Sequence, residues 1–232
     1  MTHKDIIVIF SHGFGLKKDN RGLFTEISGI LNKQGIKTIL FDYNKFNTKT
    51  NELFIVPFSI QAKKLEEMID KTAENNPKSE IVIIGQSQGS FIPTLINNIS
   101  KVKKVIGVSP FFHTNMKDII RRYTASKDNE LNFTGVSIRK RSDGSTTIIP
   151  PEYWKERFEA RVEDLYNKLA EKTELVLISP LQDEIMDITD LRKIKQASII
   201  NLDGNHDFSS QYRPKLVEVI LKQLYFSWLW IK

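Results

Sequence analysis

Residues 81–89 read Ile-Val-Ile-Ile-Gly-Gln-Ser-Gln-Gly, a buried-strand pattern that runs directly into a Gly-x-Ser-x-Gly turn. A helical pattern over Ser90–Ile99 follows, so the predicted order is strand, sharp turn, helix. Small residues must flank the serine in such a turn, which pushes the serine hydroxyl into the open. The helix that follows directs its N-terminus at the same place and favours negative charge there. We therefore predict that Ser87 is a nucleophile; an ordinary Gly-rich turn between strand and helix is the alternative.

The rest of the chain repeats the alternation of strands and helices. Six short apolar runs predict buried strands: Ile6–Phe10, Thr38–Phe41, Ile81–Ile84, Val105–Val108, Leu175–Ile178 and Ala197–Leu202. Amphipathic patterns predict helices at Asn20–Asn32, Ser59–Glu74, Ser90–Ile99, Ile188–Lys195 and Arg213–Trp230. Continuous apolarity of the strands is typical of a parallel sheet that is covered on both faces. The pattern predicts an α/β fold with a mainly parallel, doubly wound sheet.

One long interval interrupts this alternation. About sixty residues separate the fourth and fifth predicted strands, where a simple crossover needs far fewer. Within the interval, Gly135–Ile149 predicts a β-hairpin and Glu152–Lys172 predicts one long amphipathic helix. We expect this insertion, about residues 111–172, to form a cap on top of the sheet. The whole chain, 1–232, is then a single domain.

The composition narrows the class of protein. The chain has 34 Lys and Arg against 28 Asp and Glu, a net charge of +6, but no nucleic-acid-binding motif accompanies this excess. The absence of cysteine excludes a disulfide scaffold, a Cys nucleophile and Cys-ligated metal sites. No apolar stretch approaches a membrane span, and the first residues lack a signal-peptide pattern. We expect a cytoplasmic monomer or homodimer with no nucleic-acid partner and no stable membrane insertion.

Two further segments lie where strands end. Residues 11–15 read Ser-His-Gly-Phe-Gly after the first strand, and the backbone N–H of Phe14 could join that of Gln88 in an oxyanion hole. His12 is expected to brace this loop rather than to transfer protons. The chain has four histidines, and His206 is the one that follows the last predicted strand. It therefore reaches the sheet edge of the nucleophile, and we predict that it is the general base.

The acid that orients this base is expected in residues 179–187, Ser-Pro-Leu-Gln-Asp-Glu-Ile-Met-Asp, after the fifth strand. A carboxylate there would orient the imidazole and stabilise its cation. Asp183 is preferred over Asp187 because it falls in the loop with apolar residues behind it. Glu184 and Asp190 are expected to be solvated or to cap a helix.

Together these segments resemble the α/β-hydrolase superfamily: His-Gly-Phe-Gly near the start, Gly-Gln-Ser-Gln-Gly, a late Asp-Glu-Ile-Met and Gly-Asn-His-Asp-Phe. Within the superfamily the chain is similar to compact bacterial esterases of the cinnamoyl (feruloyl) esterase and monoacylglycerol lipase-like kind. Those enzymes carry a cap insertion after the sixth strand of the family fold, and the chain order Ser, Asp, His is the one this fold requires. The resemblance covers nearly the whole chain except the insertion. Many such esterases have a Gly-His-Gly-x-Ser turn where this chain has residues 41–47, Phe-Asp-Tyr-Asn-Lys-Phe-Asn, so that pocket wall is not carried over.

The resemblance implies a serine esterase that acts on a small-molecule ester or thioester of a small or medium acyl or aromatic acid. Ser87, His206 and Asp183 would form the catalytic triad, and an acyl-enzyme would be the intermediate. Neither a metal nor an organic cofactor is needed. Two alternatives stay open: a non-catalytic ligand-binding protein with the same fold, and a peptidase or acyltransferase that uses the same triad.

Aromatic residues of the insertion are candidates for the substrate pocket. Phe111, Phe112 and His113 follow a predicted strand, and Trp154 lies near the start of the predicted long helix. If they face the nucleophile they form an apolar or aromatic acyl pocket; packing between insertion and sheet is the alternative. Residues 139–141, Arg-Lys-Arg, could meet a carboxylate or phosphate on the substrate, or could be a solvated hairpin tip.

Overall fold

A computed structural model of the chain describes residues 5–112, 115–185 and 189–225. The strands of these residues are β1 (Ile6–Ser11), β2 (Lys37–Leu40), β3 (Lys45–Asn47), β4 (Glu52–Phe54), β5 (Glu80–Gln86), β6 (Val102–Val108), β7 (Ser137–Lys140), β8 (Thr146–Ile149), β9 (Glu174–Pro180) and β10 (Ser198–Leu202). The α-helices are α1 (Leu23–Lys33), α2 (Phe58–Asn75), α3 (Gln88–Phe91), α4 (Met116–Thr124), α5 (Pro151–Glu159), α6 (Val162–Ala170) and α7 (Arg213–Tyr225).

The central sheet has six parallel strands in the order β10-β9-β6-β5-β1-β2. All six strands predicted from the sequence belong to it. Successive residues of β1 point to opposite faces: Val8 packs with α1 and α7, and Ile9 packs with α2 and the insertion. The sheet is therefore covered on both faces, which explains the continuous apolarity of its strands.

The carboxyl ends of the central strands lie at one edge of the sheet. Ser11 at the end of β1 pairs with Gly85 in β5, and Gln86 at the end of β5 pairs with Val108 at the end of β6. On the other side of β6, Leu202 of β10 pairs with the last residue of β9. The loops that carry the candidate site residues all begin at these ends, so the sheet brings them together.

A second, smaller sheet lies in the order β3-β4-β8-β7. Its β7–β8 pair is the hairpin predicted within Gly135–Ile149. The parallel pairing of β4 with β8 was not predicted. The backbone N–H of Ile55 continues this pairing by donating to the carbonyl of Ile148 at 2.9 Å. The segment after β2 thus contributes two strands, β3 and β4, to the second sheet.

The prediction of one long helix over Glu152–Lys172 is wrong. The chain forms α5 and α6, and between them Ala160 and Arg161 have ψ angles of 117° and 78°, outside the helical range. The break lets the two halves face different partners. α5 buries Trp154 against Phe133, whereas α6 buries Tyr166 against Phe91, near the central sheet.

Three other predicted helices differ in length or type. The helix predicted over Ser90–Ile99 is a short α3 followed by a 3₁₀ helix over Ile92–Leu95, because Pro93 cannot donate the backbone hydrogen bond that would continue α3. The segment Ile188–Lys195 contains a 3₁₀ helix at Thr189–Lys193. The last helix begins at Arg213 as predicted and is described to Tyr225; the rest of the predicted helix lies outside the described residues.

Candidate active site

Ser87 occupies the sharp turn between β5 and α3. Its backbone has φ 52° and ψ −124°, a region that non-glycine residues rarely adopt. Neighbouring groups hold this conformation. The Ser87 N–H donates to the carbonyl of Val108 at 2.9 Å, while the Ser87 carbonyl accepts from the Ser90 hydroxyl at 2.6 Å and from the Phe111 N–H at 3.3 Å.

The two glycines of the Gly-x-Ser-x-Gly motif are required by close backbone contacts. A Cβ atom on Gly89 would overlap the carbonyl of Ser11 at the end of β1. A Cβ on Gly85 would overlap the backbone of Gly89 itself. The two glycines therefore allow β1, β5 and α3 to pass close to one another. This close passage places the serine at the apex of the turn.

A continuous hydrogen-bond chain joins Ser87, His206 and Asp183. The Nε2 atom of His206 lies 3.0 Å from the Oγ of Ser87, and Nδ1 lies 2.9 Å from each carboxylate oxygen of Asp183. Because Nδ1 faces a carboxylate, it carries the ring proton and donates it, which leaves Nε2 to accept from the serine hydroxyl. The side chains of His206 and Asp183 are only 8% and 1% exposed. The alternative acid, Asp187, lies outside the described residues.

Glu184 is exposed, in line with the solvated position expected for it, and it also makes one contact within the site. Its Oε2 accepts from the backbone N–H of His206 at 3.1 Å, so it supports the loop that carries the imidazole. The other side of this loop is tied to the sheet. The His206 carbonyl accepts from the hydroxyl of Ser109 at 2.6 Å and from the Nε2 of Gln86 at 3.3 Å. The His206 backbone is therefore fixed from three directions.

Phe14 and Gln88, whose backbone N–H groups are the candidates for an oxyanion hole, both line the same cavity as Ser87. Neither N–H donates a hydrogen bond to any group of the described chain. Free N–H groups beside a serine hydroxyl are what an oxyanion hole requires. The cavity has a volume of about 300 Å³.

The loop that carries Phe14 is braced by His12, as expected. The buried ring of His12 donates from Nδ1 to the Gly13 carbonyl and accepts at Nε2 from the Tyr43 N–H, both at 3.0 Å. Burial lowers the pKa of His12, so the ring stays neutral and can serve as both donor and acceptor. The Gly13 N–H donates to Oδ1 of Asn20 at 3.1 Å, which fixes the other end of the loop.

The side chain of Gln88 links the turn to α2 and α5. Its Nε2 donates to Oε1 of Gln61 in α2 at 2.8 Å, and its Oε1 accepts from the hydroxyl of Tyr153 in α5 at 2.6 Å. The ring of Phe14 stacks on Tyr153 at a centroid distance of 5.2 Å. No local pattern in the sequence could have revealed the role of Gln61, since it lies on a helix far from either motif.

The predicted pocket residues have different positions. Phe111 lines the cavity around Ser87. Phe112 stacks on Tyr166 at 6.3 Å, and Trp154 donates from Nε1 to the hydroxyl of Ser137 at 2.9 Å; neither lines the cavity. For these two residues the structure matches the packing alternative rather than substrate contact. His113 lies outside the described residues.

Five arginines line the cavity, which the sequence did not predict as a group. They are Arg21, Arg122, Arg139, Arg141 and Arg157. The sequence indicated only the 139–141 segment as a possible anion contact. Arg122 and Arg157 come from α4 and α5, and these helices meet only in the folded chain. Arg21 forms an ion pair with Asp207 at 2.8 Å.

Across the described ranges, no cluster of three or more His, Cys, Asp or Glu side chains has the arrangement of a metal site. Within the same ranges, no helix is both long enough and apolar enough to cross a bilayer.

Comparisons with known proteins agree with this architecture. The chain superposes on the esterase Est1E from Butyrivibrio proteoclasticus with a TM-score of 0.65 at 17% identity, covering 95% of this chain and 88% of that one. A thermophilic esterase from Thermogutta terrifontis gives 0.67 at 14% identity, with coverages of 97% and 91%. The methylesterase MES16 from Arabidopsis gives 0.62 at 15% identity, with coverages of 95% and 99%. At these identities the likeness shows a shared α/β-hydrolase fold.

The sequence has no significant match among curated proteins. A family model described as Serine aminopeptidase, S33, matches residues 2–146, which is more than half of the 232 residues. The chain belongs to this family, Hydrolase_4, and has the α/β-hydrolase fold.

Proposed function

We propose that the chain is a serine hydrolase that transfers the acyl group of a carboxylic ester or thioester to water. Ser87 acts as the nucleophile, His206 as the general base, and Asp183 orients the imidazole. The observation that carries the proposal is the chain of hydrogen bonds from the Ser87 Oγ through His206, with donor–acceptor distances of 3.0 Å and 2.9 Å, ending at a buried carboxylate.

The reaction follows from this geometry in two steps. As Ser87 attacks the carbonyl carbon, its proton passes to Nε2 of His206, and Asp183 stabilises the imidazolium that forms. The N–H groups of Phe14 and Gln88 donate hydrogen bonds that stabilise the negative charge on the carbonyl oxygen. Collapse of the tetrahedral intermediate expels the alcohol or thiol, which takes the proton from His206 and leaves an acyl-Ser87. Water then attacks by the same proton path and releases the acid.

An ester is favoured over a peptide by the charges of the cavity. An aminopeptidase must bind the cationic amino terminus of its substrate, which requires an available carboxylate. Two acidic residues line the cavity against five arginines: Asp207 is paired with Arg21, and Glu184 accepts from the His206 N–H through one oxygen. The remaining charged groups of the lining are arginines, which repel an ammonium group.

We further propose that residues 1–232 act as one domain in which the insertion at about 111–172 forms a cap. The pairing of β4 with β8 supports this organisation, because it joins the insertion to the segment after β2. The cap and the central sheet also share one buried apolar cluster, which includes Ile83, Tyr153 and Tyr166.

Fluorophosphonate labelling, located by peptide mass spectrometry, tests the proposed nucleophile. We expect labelling at Ser87 in the wild type and none in Ser87→Ala, with Ser100→Ala, an exposed serine, as the matched control that keeps the label. Unlabelled wild type is then assayed with p-nitrophenyl esters, acyl thioesters and an amino-acid p-nitroanilide, with Ser87→Ala as the inactive control. Folded wild-type protein that takes up no label would refute the proposal, and preferential cleavage of the anilide would assign the triad to a peptidase.

A further inference from the structure

Four of the arginines around the cavity lack an acidic partner. Among the described residues, Arg122, Arg139, Arg141 and Arg157 form no ion pair, in contrast to Arg21. We call these four residues the arginine cluster. All four are half-buried, so they are neither solvated surface charges nor part of an internal salt-bridge network.

Uncharged groups hold two members of the cluster next to the reacting centre. Arg141 donates from Nε to the hydroxyl of Thr147 at 2.9 Å, and its guanidinium lies 5.4 Å from the centroid of the Phe14 ring. Arg157 donates from Nη1 to the hydroxyl of Tyr153 at 2.9 Å and lies 4.6 Å from the centroid of the Phe111 ring. Phe14 and Phe111 both line the cavity that contains Ser87.

The other two members come from α4 and from strand β7 of the hairpin. Arg122 donates from Nη2 to the carbonyl of Ile185 at 2.9 Å, and Arg139 lies 5.8 Å from the centroid of the Tyr123 ring. On the hairpin, Arg139 and Arg141 are two residues apart, so their side chains share one face, and Lys140 between them points to the other. The cluster is therefore assembled from α4, the β7–β8 hairpin and α5.

Donor atoms within the cluster remain unused. Nη2 of Arg141 and Nε of Arg157 are buried and have no hydrogen-bond partner in the described protein. Buried polar atoms without a partner are rare because they lose their bonds to water without replacement. The neighbouring loop also leaves space for the guanidinium: a Cβ on Gly15 would overlap Nη2 of Arg141.

The positive charges of the cluster repel one another when no anion is bound. Burial, with repulsion from Arg139 and Arg21, lowers the pKa of Arg141 to about 10. Burial likewise lowers the pKa of Arg122. Both guanidinium groups are charged at neutral pH. An anion that enters the cavity therefore meets several cations, and it does not have to compete with acidic side chains for them.

We propose that the arginine cluster recognises a multiply charged oxyanion, of the phosphate class, on the substrate, so that the enzyme hydrolyses an anionic ester. Planar guanidinium groups bind phosphate and carboxylate oxygens through paired N–H donors. Four unpaired cations in one cavity favour a dianion over a single carboxylate. The volume of about 300 Å³ restricts this anion to a small molecule. The hydrolysis of an anionic ester rests on the proposed function of Ser87. The binding of the anion by the arginine cluster does not.

Three p-nitrophenyl esters of similar acyl length test the charge preference: the neutral pentanoate, the hemiglutarate and the phosphonobutanoate. We expect kcat/KM to rise with negative charge, by at least about tenfold from pentanoate to phosphonobutanoate. In Arg141→Gln the ratio of kcat/KM for phosphonobutanoate to that for pentanoate falls by about ten- to a hundredfold. Lys140→Gln, which removes the same charge from the opposite face of the hairpin, keeps the wild-type ratio. Equal turnover of neutral and anionic esters by wild type and Arg141→Gln overturns the inference while leaving the proposed hydrolase intact.

A binding measurement separates this inference from the proposed chemistry. Inorganic phosphate is titrated by calorimetry into Ser87→Ala and into Ser87→Ala/Arg141→Gln, neither of which can turn over substrate. We expect at least about tenfold weaker binding to the second protein, and binding to the first that weakens as ionic strength rises. Equal affinities would overturn the inference even if Ser87 labels. If Ser87 does not label but the affinities differ as expected, the proposed hydrolase fails and the anion site stands.

Discussion

The Oγ of Ser87 lies 3.0 Å from Nε2 of His206, although 119 positions separate the two residues in the chain. The contact arises because β5 and β10 end at the same edge of the parallel sheet, and the loops after them fold toward each other. Asp183, after β9, approaches the opposite side of the same imidazole. Three loops from one sheet edge therefore build an arrangement that no local segment contains.

Replacing Asp183 tests which carboxylate orients the base. Asp183→Asn keeps the shape of the side chain but no longer requires a proton on Nδ1 of His206, so the wrong tautomer becomes accessible. We expect kcat for a p-nitrophenyl ester to fall by about 10⁴-fold with little change in Tm. Asp187→Asn is the matched control and should keep most of the activity. A large loss in Asp187→Asn with a small one in Asp183→Asn would reverse the assignment.

The close backbone contact at Gly89 predicts that replacing this glycine by alanine strongly lowers the free energy of unfolding. Gly89→Ala forces a Cβ into the carbonyl of Ser11, and we expect a loss of about 3 kcal/mol in the free energy of unfolding. Gly29→Ala is the control, since this glycine is exposed within α1 and a Cβ there meets no atom within 4 Å. It should stabilise the protein by about 0.5–1 kcal/mol. Urea denaturation measures both, and equal effects would contradict the steric argument.

Ser90 is predicted to be a positioning residue for the nucleophile. Its hydroxyl donates to the Ser87 carbonyl and accepts from the Phe111 N–H, so the hydroxyl of Tyr166, at 2.8 Å, must be the donor in their contact. Ser90→Ala leaves the buried Tyr166 hydroxyl without an acceptor, at a cost of about 1–3 kcal/mol in unfolding free energy. We expect kcat to fall by about tenfold with KM nearly unchanged, because the turn loosens.

A double-mutant cycle checks the role of Ser90. Tyr166→Phe removes the stranded hydroxyl, so Ser90→Ala/Tyr166→Phe should be more stable than Ser90→Ala alone. The loss in kcat should persist in the double variant, because the Ser87 carbonyl still lacks the hydrogen bond from the Ser90 hydroxyl. Recovery of kcat together with stability would show that Ser90 serves only to fill the core.

The unpaired charge of Arg141 predicts a stabilising substitution. Arg141→Gln removes a guanidinium that burial and its neighbours make unfavourable, so we expect a gain of about 1 kcal/mol in unfolding free energy in phosphate-free buffer. The exposed control, Lys140→Gln, should change stability by less than about 0.5 kcal/mol. Thermal and urea denaturation measure both variants. A loss of stability in Arg141→Gln would indicate that its hydrogen bond to Thr147 outweighs the charge effect.

The lowered pKa of Arg141 also predicts how phosphate binding depends on pH. Folding lowers this pKa to about 10, so the unfolded chain binds more protons in the window between about pH 10 and the ordinary pKa of arginine. The unfavourable charge is fully present below pH 10 and disappears as pH rises through this window. Phosphate needs the charged form, so its affinity for Ser87→Ala should be steady from pH 8 to 9 and fall above about pH 10. In Ser87→Ala/Arg141→Gln the affinity should be weaker at pH 8 and fall less over the same range.

Short segments of the sequence were enough to predict the strands of the central sheet, the turn at Ser87 and the β7–β8 hairpin. These features depend on steric rules that act within about ten residues: apolar runs form strands, and only glycine fits beside the serine in so tight a turn. The break between α5 and α6 was not predictable in this way. The amphipathic pattern continues through Ala160 and Arg161, and the break depends on which partner each half packs against.

What the sequence by itself determined is the scaffold and the sharp turn at Ser87, because strand periodicity and the Gly85–Gly89 motif are local. Only the tertiary structure decided that Asp183 faces Nδ1 of His206 and that Glu184 supports the backbone beside it. It alone brought Arg122, the 139–141 segment and Arg157 to one cavity, since these come from three elements that are separate in the chain. A cavity takes its charge from whichever segments fold over it, and no local pattern encodes that juxtaposition.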